Sequence, residues 1–245
     1  MSEARPGTTL ARLLDGGAHL SVGIMAADLL HLGDELALLE TGGAGIVHVD
    51  VADGVFSPLF TTGTPLVKAI RTPLVKDVHL MVEDPLPKVE AMVAAGADMV
   101  TFQLEGARQP HRVLQVLGQA TNANDAARGI VRGVALDPHT PVEALEPLIG
   151  DLEYVLILAI NPGWGGQGFL PATAGRIERA RRLIAASGRS IALGVDGAVT
   201  RDNAADVARL GVDVVVSGSA IFDGAAATRN LATMLDLVGG ARSAG

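Results

Sequence analysis

Four polar side chains interrupt apolar stretches that have the composition of buried strands. His48 and Asp50 stand two residues apart within the β-branched stretch 46–51, so they point to the same face of a strand. His79 lies near the end of a second such stretch, and Asp196 ends a third. A buried charge needs a partner or a metal ion. Two imidazoles and two carboxylates at strand ends therefore indicate a metal-binding or catalytic site.

These four side chains form a donor set that suits a divalent transition metal. Imidazole nitrogens and carboxylate oxygens bind Zn²⁺, Mn²⁺ or Fe²⁺ and can leave a position open for substrate oxygens. The chain contains no cysteine, which excludes thiolate ligands and disulfides. Any one of the four alone is more often a satisfied polar group of the core. Four of them on the same strand face and at the same strand ends favour a metal site.

The elements that must position these residues alternate between strand and helix along the chain. The predicted strands are 19–25, 46–51, 75–80, 99–104, 129–136, 154–160, 191–196 and 212–217. The predicted helices are 8–14, 32–40, 65–71, 85–95, 110–120, 141–148, 172–187 and 203–210, the last capped by Thr200, followed by a short and a longer helix within 220–237.

Eight strands, each followed by a helix, predict an α/β fold with one closed barrel. The 245 residues match the length of a (β/α)8 TIM barrel and contain no interruption that reads as a linker. We therefore expect a single domain over 1–245, with 1–18 as an N-terminal extension that carries a short helix. An open doubly wound sheet is the alternative. In a barrel, the C-terminal strand ends surround one mouth, where catalytic residues gather.

The amino-acid composition fits the core of a barrel, and the net charge limits the classes of partner that the protein is expected to bind. Hydrophobic residues make up 49% of the chain and aromatic residues 3%, as in a parallel sheet covered by helices. The net charge of −8 argues against nucleic acid and acidic membranes as partners. The longest aliphatic run, 155–160, is too short to span a bilayer, and the polar start of the chain lacks a signal-peptide core. The expected location is the cytoplasm.

Three glycine-rich loops indicate an anion site beside the metal site. Segment 161–167 follows the sixth strand, 196–198 follows the seventh, and 217–220 follows the eighth at the start of a predicted helix. Barrel enzymes often bind phosphate with the loops after strands seven and eight and a short helix N-terminus. Ordinary loop glycines are the alternative. Two adjacent loops of this kind favour phosphate.

The order and spacing of these motifs resemble the ribulose-phosphate 3-epimerase family from about residue 20 to residue 222. The motifs are His48-Val-Asp-Val-Ala-Asp-Gly54, Asp77-Val-His-Leu-Met81, Asn161-Pro-Gly-Trp-Gly-Gly-Gln167, Val195-Asp-Gly197 and Gly218-Ser-Ala-Ile-Phe222. That family consists of metal-dependent TIM barrels that invert the carbon next to the ketone of a ketose phosphate. The resemblance also implies a homo-oligomer.

Site residues follow from the resemblance, position by position. It implies that His48, Asp50, His79 and Asp196 bind one divalent metal ion, with Zn²⁺ preferred and Mn²⁺, Fe²⁺ or Co²⁺ as alternatives, and that Asp50 and Asp196 are the catalytic acid/base pair. The residues expected to line the sugar and phosphate pockets are Met81, Gly163, Trp164, Gly165, Gly166, Gly197, Ala198, Gly218 and Ser219. The implied reaction converts D-ribulose 5-phosphate to D-xylulose 5-phosphate, or a close analogue.

This division of labour also makes chemical sense from the residues. A proton next to a carbonyl is weakly acidic, so a divalent cation would be needed to stabilise the enediolate. Inversion needs one base on each face of that planar intermediate. Asp50 and Asp196, on well-separated strands, can flank it, one removing a proton and the other returning one to the opposite face.

The match departs from the usual family pattern at several positions. Gly23 replaces a serine, Ala52 replaces a methionine, and Leu158-Ala159 replaces Met-Ser. Ala198 replaces a glycine, and Gln103 stands where histidine is common. The metal and acid/base positions are unaffected, so the reaction type is expected to hold. A roomier pocket would suit a longer ketose phosphate, and this predicts the D-allulose 6-phosphate/D-fructose 6-phosphate pair as the alternative substrates.

Two further interpretations remain open at this point. A sugar-phosphate decarboxylase of related architecture would need a lysine to protonate a carbanion, but Lys76 is three residues before His79 and on the opposite strand face. A non-catalytic phosphosugar-binding protein would need neither aspartate as an acid or base. The presence of both argues against it.

Overall fold

A closed barrel of eight parallel strands forms the centre of the molecule. The computed structural model describes residues 7–224 and 226–241. The strands follow chain order around the barrel and are β1 His19–Gly23, β2 Ile46–Ala52, β3 Val75–Met81, β4 Met99–Gln103, β5 Val131–Leu136, β6 Tyr154–Leu158, β7 Ala192–Asp196 and β8 Val214–Ser217. β8 pairs with β1 and closes the ring. The predicted TIM barrel is confirmed, and the open sheet is excluded.

Seven of the eight α-helices among the described residues cover the outer face of the barrel, and the first closes its N-terminal end. The eight helices are α1 Thr9–Leu14, α2 Leu32–Thr41, α3 Thr64–Ala69, α4 Val89–Ala94, α5 Pro110–Gln119, α6 Thr173–Ser187, α7 Ala204–Arg209 and α8 Ala227–Gly240. Among the residues that the structure describes, no helix is both long and apolar enough to cross a bilayer.

Several local predictions differ from the structure. The sixth strand ends at Leu158 rather than residue 160, and turns replace the short helix predicted from residue 220, so that within the described part of the chain only α8 follows β8. The first strand was expected to reach residue 25, but it ends at Gly23 and a 3-10 helix follows at Ile24–Ala26. The helix predicted at 141–148 is a 3-10 helix over Val142–Leu148 with Pro147 inside it, and proline lacks the N–H that a continuing α-helix needs. Thr200 does not cap α7 with its hydroxyl; its amide instead donates to Asn203 Oδ1 at 2.8 Å.

Two apolar layers hold the barrel together. One fills the space between strands and outer helices, and the other lies inside the ring. Leu10 and Leu13 of α1 close the N-terminal end and pack with inward-facing residues such as Ile46, Val75 and Met99. Side chains alternate between the two layers because the strand period is two. The inner residues towards the C-terminal ends of β2, β3 and β7 are polar, and they form the site.

Candidate active site

The four predicted metal ligands meet at the C-terminal mouth of the barrel. One ligand atom from each of His48, Asp50, His79 and Asp196 lies within 4.8 Å of the others. His48 Nε2 is 3.1 Å and His79 Nδ1 is 3.0 Å from the same oxygen, Asp50 Oδ1. His79 Nδ1 is 3.9 Å from Asp196 Oδ2. Two nitrogens and two carboxylates therefore converge at a spacing that fits one divalent cation.

Strand register explains how this cluster forms. β2 supplies His48 and Asp50 two residues apart, and β3 sets His79 directly opposite Asp50. Asp196 is the last residue of β7, opposite Leu158 of β6. Both imidazoles are fully buried, whereas the side chains of Asp50 and Asp196 are 25% and 22% exposed. The carboxylates thus face the mouth and the histidines lie behind them.

Asp77 is a partner of the cluster that sequence reasoning did not assign. Its Oδ2 is 2.7 Å from His48 Nδ1 and also accepts a hydrogen bond of 3.0 Å from the Ser21 hydroxyl. A carboxylate only accepts, so His48 carries its proton on Nδ1 and presents Nε2 to the centre of the cluster. Its spacing, two residues before His79 on the same strand face, was a signal that could have identified it.

The charges of the cluster shift the pKa values of its members in both directions. Burial opposes the charged form of His48, but Asp77 and Asp50 outweigh it and raise its pKa well above 6.5. The pKa of His79 is also raised, since hydrogen bonding and charge from Asp50 outweigh burial. For Asp50, burial acts upward but His48 and His79 prevail, so its pKa is lowered. Burial and the charge of Asp50 raise the pKa of Asp196 to about 6.

Two cavities are lined in part by the two aspartates. The first, of about 290 Å³, is lined by residues from the ends of β1, β7 and β8 together with Asp50 and Asp196. Its glycine-loop residues include Gly197, Ala198, Gly218 and Ser219, all of which were predicted to line a pocket. A Cβ on Gly218 would lie 2.5 Å from the carbonyl oxygen of Gly23. The close approach of these loops therefore requires glycine there.

The second cavity, of about 350 Å³, is more apolar in its lining. Besides both aspartates it is lined by Met81, Gly163, Trp164 and Gly165, again as predicted, and by Leu59, Leu158, Ile160 and Pro162. Leu59 was not anticipated, because it lies in the long loop between β2 and α3. Gly166 follows directly in the same loop and lines neither of these two cavities.

The positions that depart from the family pattern have different surroundings. Gly23 lines the first cavity and Leu158 lines the second. Ala52 is 2% exposed and lines neither of these two cavities, but its partner on β3, Met81, lines the second. Gln103 is fully buried, and its Oε1 lies 3.3 Å from His79 Nε2.

Lys76 has no part in this site. Its ammonium group donates to the carbonyl oxygens of Val67, Ile70 and Ala95 at 3.2–3.3 Å, among the outer helices. The predicted outward orientation is confirmed. The decarboxylase interpretation consequently lacks its proton donor.

Comparison with known proteins identifies the family. The ribulose-phosphate 3 epimerase family model matches residues 19–222. The chain belongs to this family. It is 37% identical over 202 residues to ribulose-phosphate 3-epimerase of Bacillus subtilis, covering 81% of this chain and 89% of that one. It is also 37% identical to the Escherichia coli K12 enzyme of the same name, covering 82% and 87%. The chain is accordingly an enzyme of the isomerase class.

Solved structures of other proteins share the fold of this epimerase-family chain at low identity. Phosphoribosyl anthranilate isomerase from Thermus thermophilus aligns with a TM-score of 0.61 at 15% identity, over 91% of this chain and 98% of that one. The tryptophan synthase alpha subunit from Campylobacter jejuni aligns with a TM-score of 0.60 at 12% identity, over 94% and 99%. These likenesses concern the barrel alone.

Proposed function

We propose that this chain epimerises C3 of a ketose phosphate, converting D-ribulose 5-phosphate to D-xylulose 5-phosphate or a close analogue. The observation that carries the proposal is the placement of Asp50 and Asp196. Both carboxylates line both cavities, and they come from strands that are not neighbours in the barrel. A sugar phosphate that extends from one cavity into the other passes between them.

Proton transfer is assigned to these two carboxylates. One accepts the C3 proton, and the other donates a proton to the opposite face of the same carbon. The neighbours of Asp50 favour its ionised form and those of Asp196 favour its protonated form. Such a pair can begin as one base and one acid. In the reverse reaction the two groups exchange roles.

One divalent cation is proposed as the cofactor, with Zn²⁺ preferred because the donors are two imidazoles and two carboxylates. His48 Nε2, His79 Nδ1 and one oxygen each of Asp50 and Asp196 would hold it. When bound, it would supply positive charge that lowers the cost of negative charge on the substrate oxygens. The raised pKa values of both histidines support the fit, since the cluster favours positive charge at both imidazoles.

The two cavities divide the substrate between them in this proposal. The glycine loops at Gly197, Ala198, Gly218 and Ser219 bind the phosphate through backbone N–H groups. The other end of the sugar is enclosed by Met81, Gly163, Trp164 and Gly165. Gly166 belongs to the same loop. We further propose one domain over 1–245, a cytoplasmic location and a homo-oligomer, as in the family.

The substrate can be identified with the mechanism in one experiment. Metal-loaded protein is incubated in D₂O with D-ribulose 5-phosphate, D-xylulose 5-phosphate, D-allulose 6-phosphate and D-fructose 6-phosphate, and C3 deuteration is followed by NMR. We expect deuterium at C3 together with the epimer for the pentulose phosphates. Turnover of the hexulose phosphates alone would favour the longer sugar suggested by Gly23. Absence of exchange with all four, despite bound metal, would contradict the proposal and favour a phosphosugar-binding protein.

A further inference from the structure

A buried chain of hydrogen bonds leads from the metal cluster to a carboxylate outside it. His79 Nε2 lies 3.3 Å from Gln103 Oε1, and Gln103 Nε2 donates to Asp137 Oδ1. Gln103 is fully buried in the last position of β4, and Asp137 is 9% exposed just after β5. Neither residue belongs to the predicted site. The chain contacts His79 on the ring nitrogen that faces away from the cluster.

The orientation of the Gln103 amide follows from the chemistry of its two neighbours. Burial and the charge of Glu105 raise the pKa of Asp137 to about 6. Above that pH its carboxylate is ionised and can only accept hydrogen bonds, so the amide nitrogen of Gln103 faces Asp137. The amide oxygen then faces His79, and an oxygen acceptor requires a proton on Nε2 of that imidazole. Nδ1, which lies 3.0 Å from Asp50 Oδ1 within the cluster, is then the ring nitrogen of His79 that can bind a metal ion.

The backbone of Asp137 is held by hydrogen bonds through both its N–H and its carbonyl oxygen. Its own backbone N–H donates to Glu105 Oε1 at 2.9 Å. Its carbonyl oxygen accepts a hydrogen bond of 2.6 Å from Arg176, whose guanidinium also donates to Leu158 O at 3.0 Å. Arg176 is 4% exposed and lies on α6. The backbone just after β5 is thus tied to the end of β6.

We propose that Gln103 and Asp137 are positioning residues that fix the tautomer of His79, so that Nδ1 is the metal-binding nitrogen. The two histidines are then oriented by different devices: His48 by direct contact with a carboxylate, and His79 through a neutral amide. Loss of such partners outside the ligand set weakens metal affinity by about 10- to 100-fold in other metal sites. The inference rests on the proposed metal-dependent function.

Zinc affinity of metal-depleted protein tests this role without measuring activity. Zn²⁺ is titrated against a chromogenic chelator for the wild-type protein and for Gln103→Leu, Gln103→His and Thr101→Val. Gln103→Leu should bind zinc about 10- to 100-fold more weakly. Gln103→His should restore the affinity to near the wild-type value, because an imidazole can accept from His79 and donate to Asp137.

Thr101→Val is the matched control. Thr101 lies on the same face of β4 two residues earlier, is fully buried, and has a hydroxyl without a hydrogen-bond partner among the described residues. This variant should keep wild-type affinity. Equal affinity of Gln103→Leu and Thr101→Val would overturn the inference, whereas failure of the wild-type protein to bind zinc would overturn the proposed function first.

A second measurement remains informative if Gln103→Leu does not fold. Imidazole ¹⁵N NMR of the zinc-loaded wild-type protein identifies the metal-bound nitrogen of each histidine. We expect Nδ1 for His79 and Nε2 for His48, with a protonated Nε2 on His79. Zinc on Nε2 of His79 would contradict the inference directly.

Discussion

Asp50 and Asp196 carry the same carboxylate, yet their neighbours shift its pKa in opposite directions. Asp50 lies 3.1 Å and 3.0 Å from nitrogens of His48 and His79, which favour its ionised form. Asp196 is farther from His79, at 3.9 Å, and the nearby charge of Asp50 adds to the effect of burial. Opposite environments for two identical groups are a recurrent arrangement for an acid and a base.

Replacement of either carboxylate should strongly reduce epimerisation, because one of the two proton-transfer groups is lost. We expect Asp50→Asn and Asp196→Asn each to lower kcat/KM by at least about 100-fold, because a general acid or base is lost from one face of the substrate. Asparagine keeps an oxygen that can bind a metal ion. Bound metal is quantified in both variants, so that loss of proton transfer is distinguished from loss of metal. Near wild-type turnover with full metal content in either variant would exclude a two-base mechanism.

The raised pKa values make the stability of metal-depleted protein dependent on pH. A folded state that binds a proton more tightly than the unfolded state gains stability at low pH. For Asp196 this gain is complete below its usual value of 3.8 and is lost as the pH rises through about 6. For His48 and His79 it is complete below 6.5 and is lost as the pH rises through their higher folded values.

We therefore expect the free energy of unfolding of metal-depleted protein to fall from about pH 5 to about pH 8. Urea denaturation at several pH values measures it. Asp196→Asn should lose the part of this decline that belongs to Asp196. It should keep the part that belongs to Asp137, whose pKa burial and Glu105 also raise to about 6, and the part above pH 6.5 that belongs to the histidines. A free energy that is flat or rises over this range would show that the histidines are neutral in the folded protein.

At the scale of the elements, the loops at the mouth define the binding cavities. The ends of β1 and β8 approach so closely that Gly218 has no room for a side chain, and Gly23 faces the same cavity. Ala198 adopts a left-handed backbone conformation, with φ +52°, directly after Gly197 with φ +105°. This backbone shape sets the direction of the loop amides at the proposed phosphate site.

Gly218→Ala should damage substrate binding more than the chemical step. A methyl group 2.5 Å from Gly23 O would force the two loops apart, so we expect KM to rise by about tenfold, equivalent to about 1.4 kcal/mol, with a smaller change in kcat. Steady-state kinetics separates these effects. Gly45→Ala is the control, because a Cβ there would meet nothing within 4 Å. Equal kinetics for both variants would show that the loop after β8 does not bind the phosphate.

At the scale of the whole molecule, the proposed cation would link distant parts of the barrel. Its ligands come from β2, β3 and β7, and β7 lies well apart from the other two around the ring. A ligand that binds only the folded state stabilises it by about 2.7 kcal/mol at about 100 times its Kd. The metal should therefore act on global stability as well as on catalysis.

Chelation should lower the thermal midpoint, and added Zn²⁺ should restore it. For a chain of this size, 1 kcal/mol corresponds to about 2–4 °C, so a shift of about 5–10 °C is expected at zinc concentrations near 100 times Kd. Calorimetry measures the shift. His79→Ala, which lacks a ligand, should show little or none, and a full shift in that variant would place the metal elsewhere.

The sequence alone determined the barrel and the positions of the four candidate ligands. Strand–helix alternation fixes the fold class, and two-residue spacing within a strand fixes a common face for His48 and Asp50. Because a barrel gathers the C-terminal strand ends, His79 and Asp196 could be assigned to the same mouth without any distance. For Gln103, the sequence indicates only that it departs from the histidine common at this position in the family.

Only the tertiary structure decided which partners stand behind those ligands. Asp77 contacts His48 on the neighbouring strand, and Asp137 accepts a hydrogen bond from Gln103. Such contacts depend on strand register and side-chain rotamer rather than on local spacing. The same holds for Leu59, which a long loop brings to the second cavity. Local sequence specifies the face of a side chain, whereas the packing of neighbouring strands and loops specifies what that face meets.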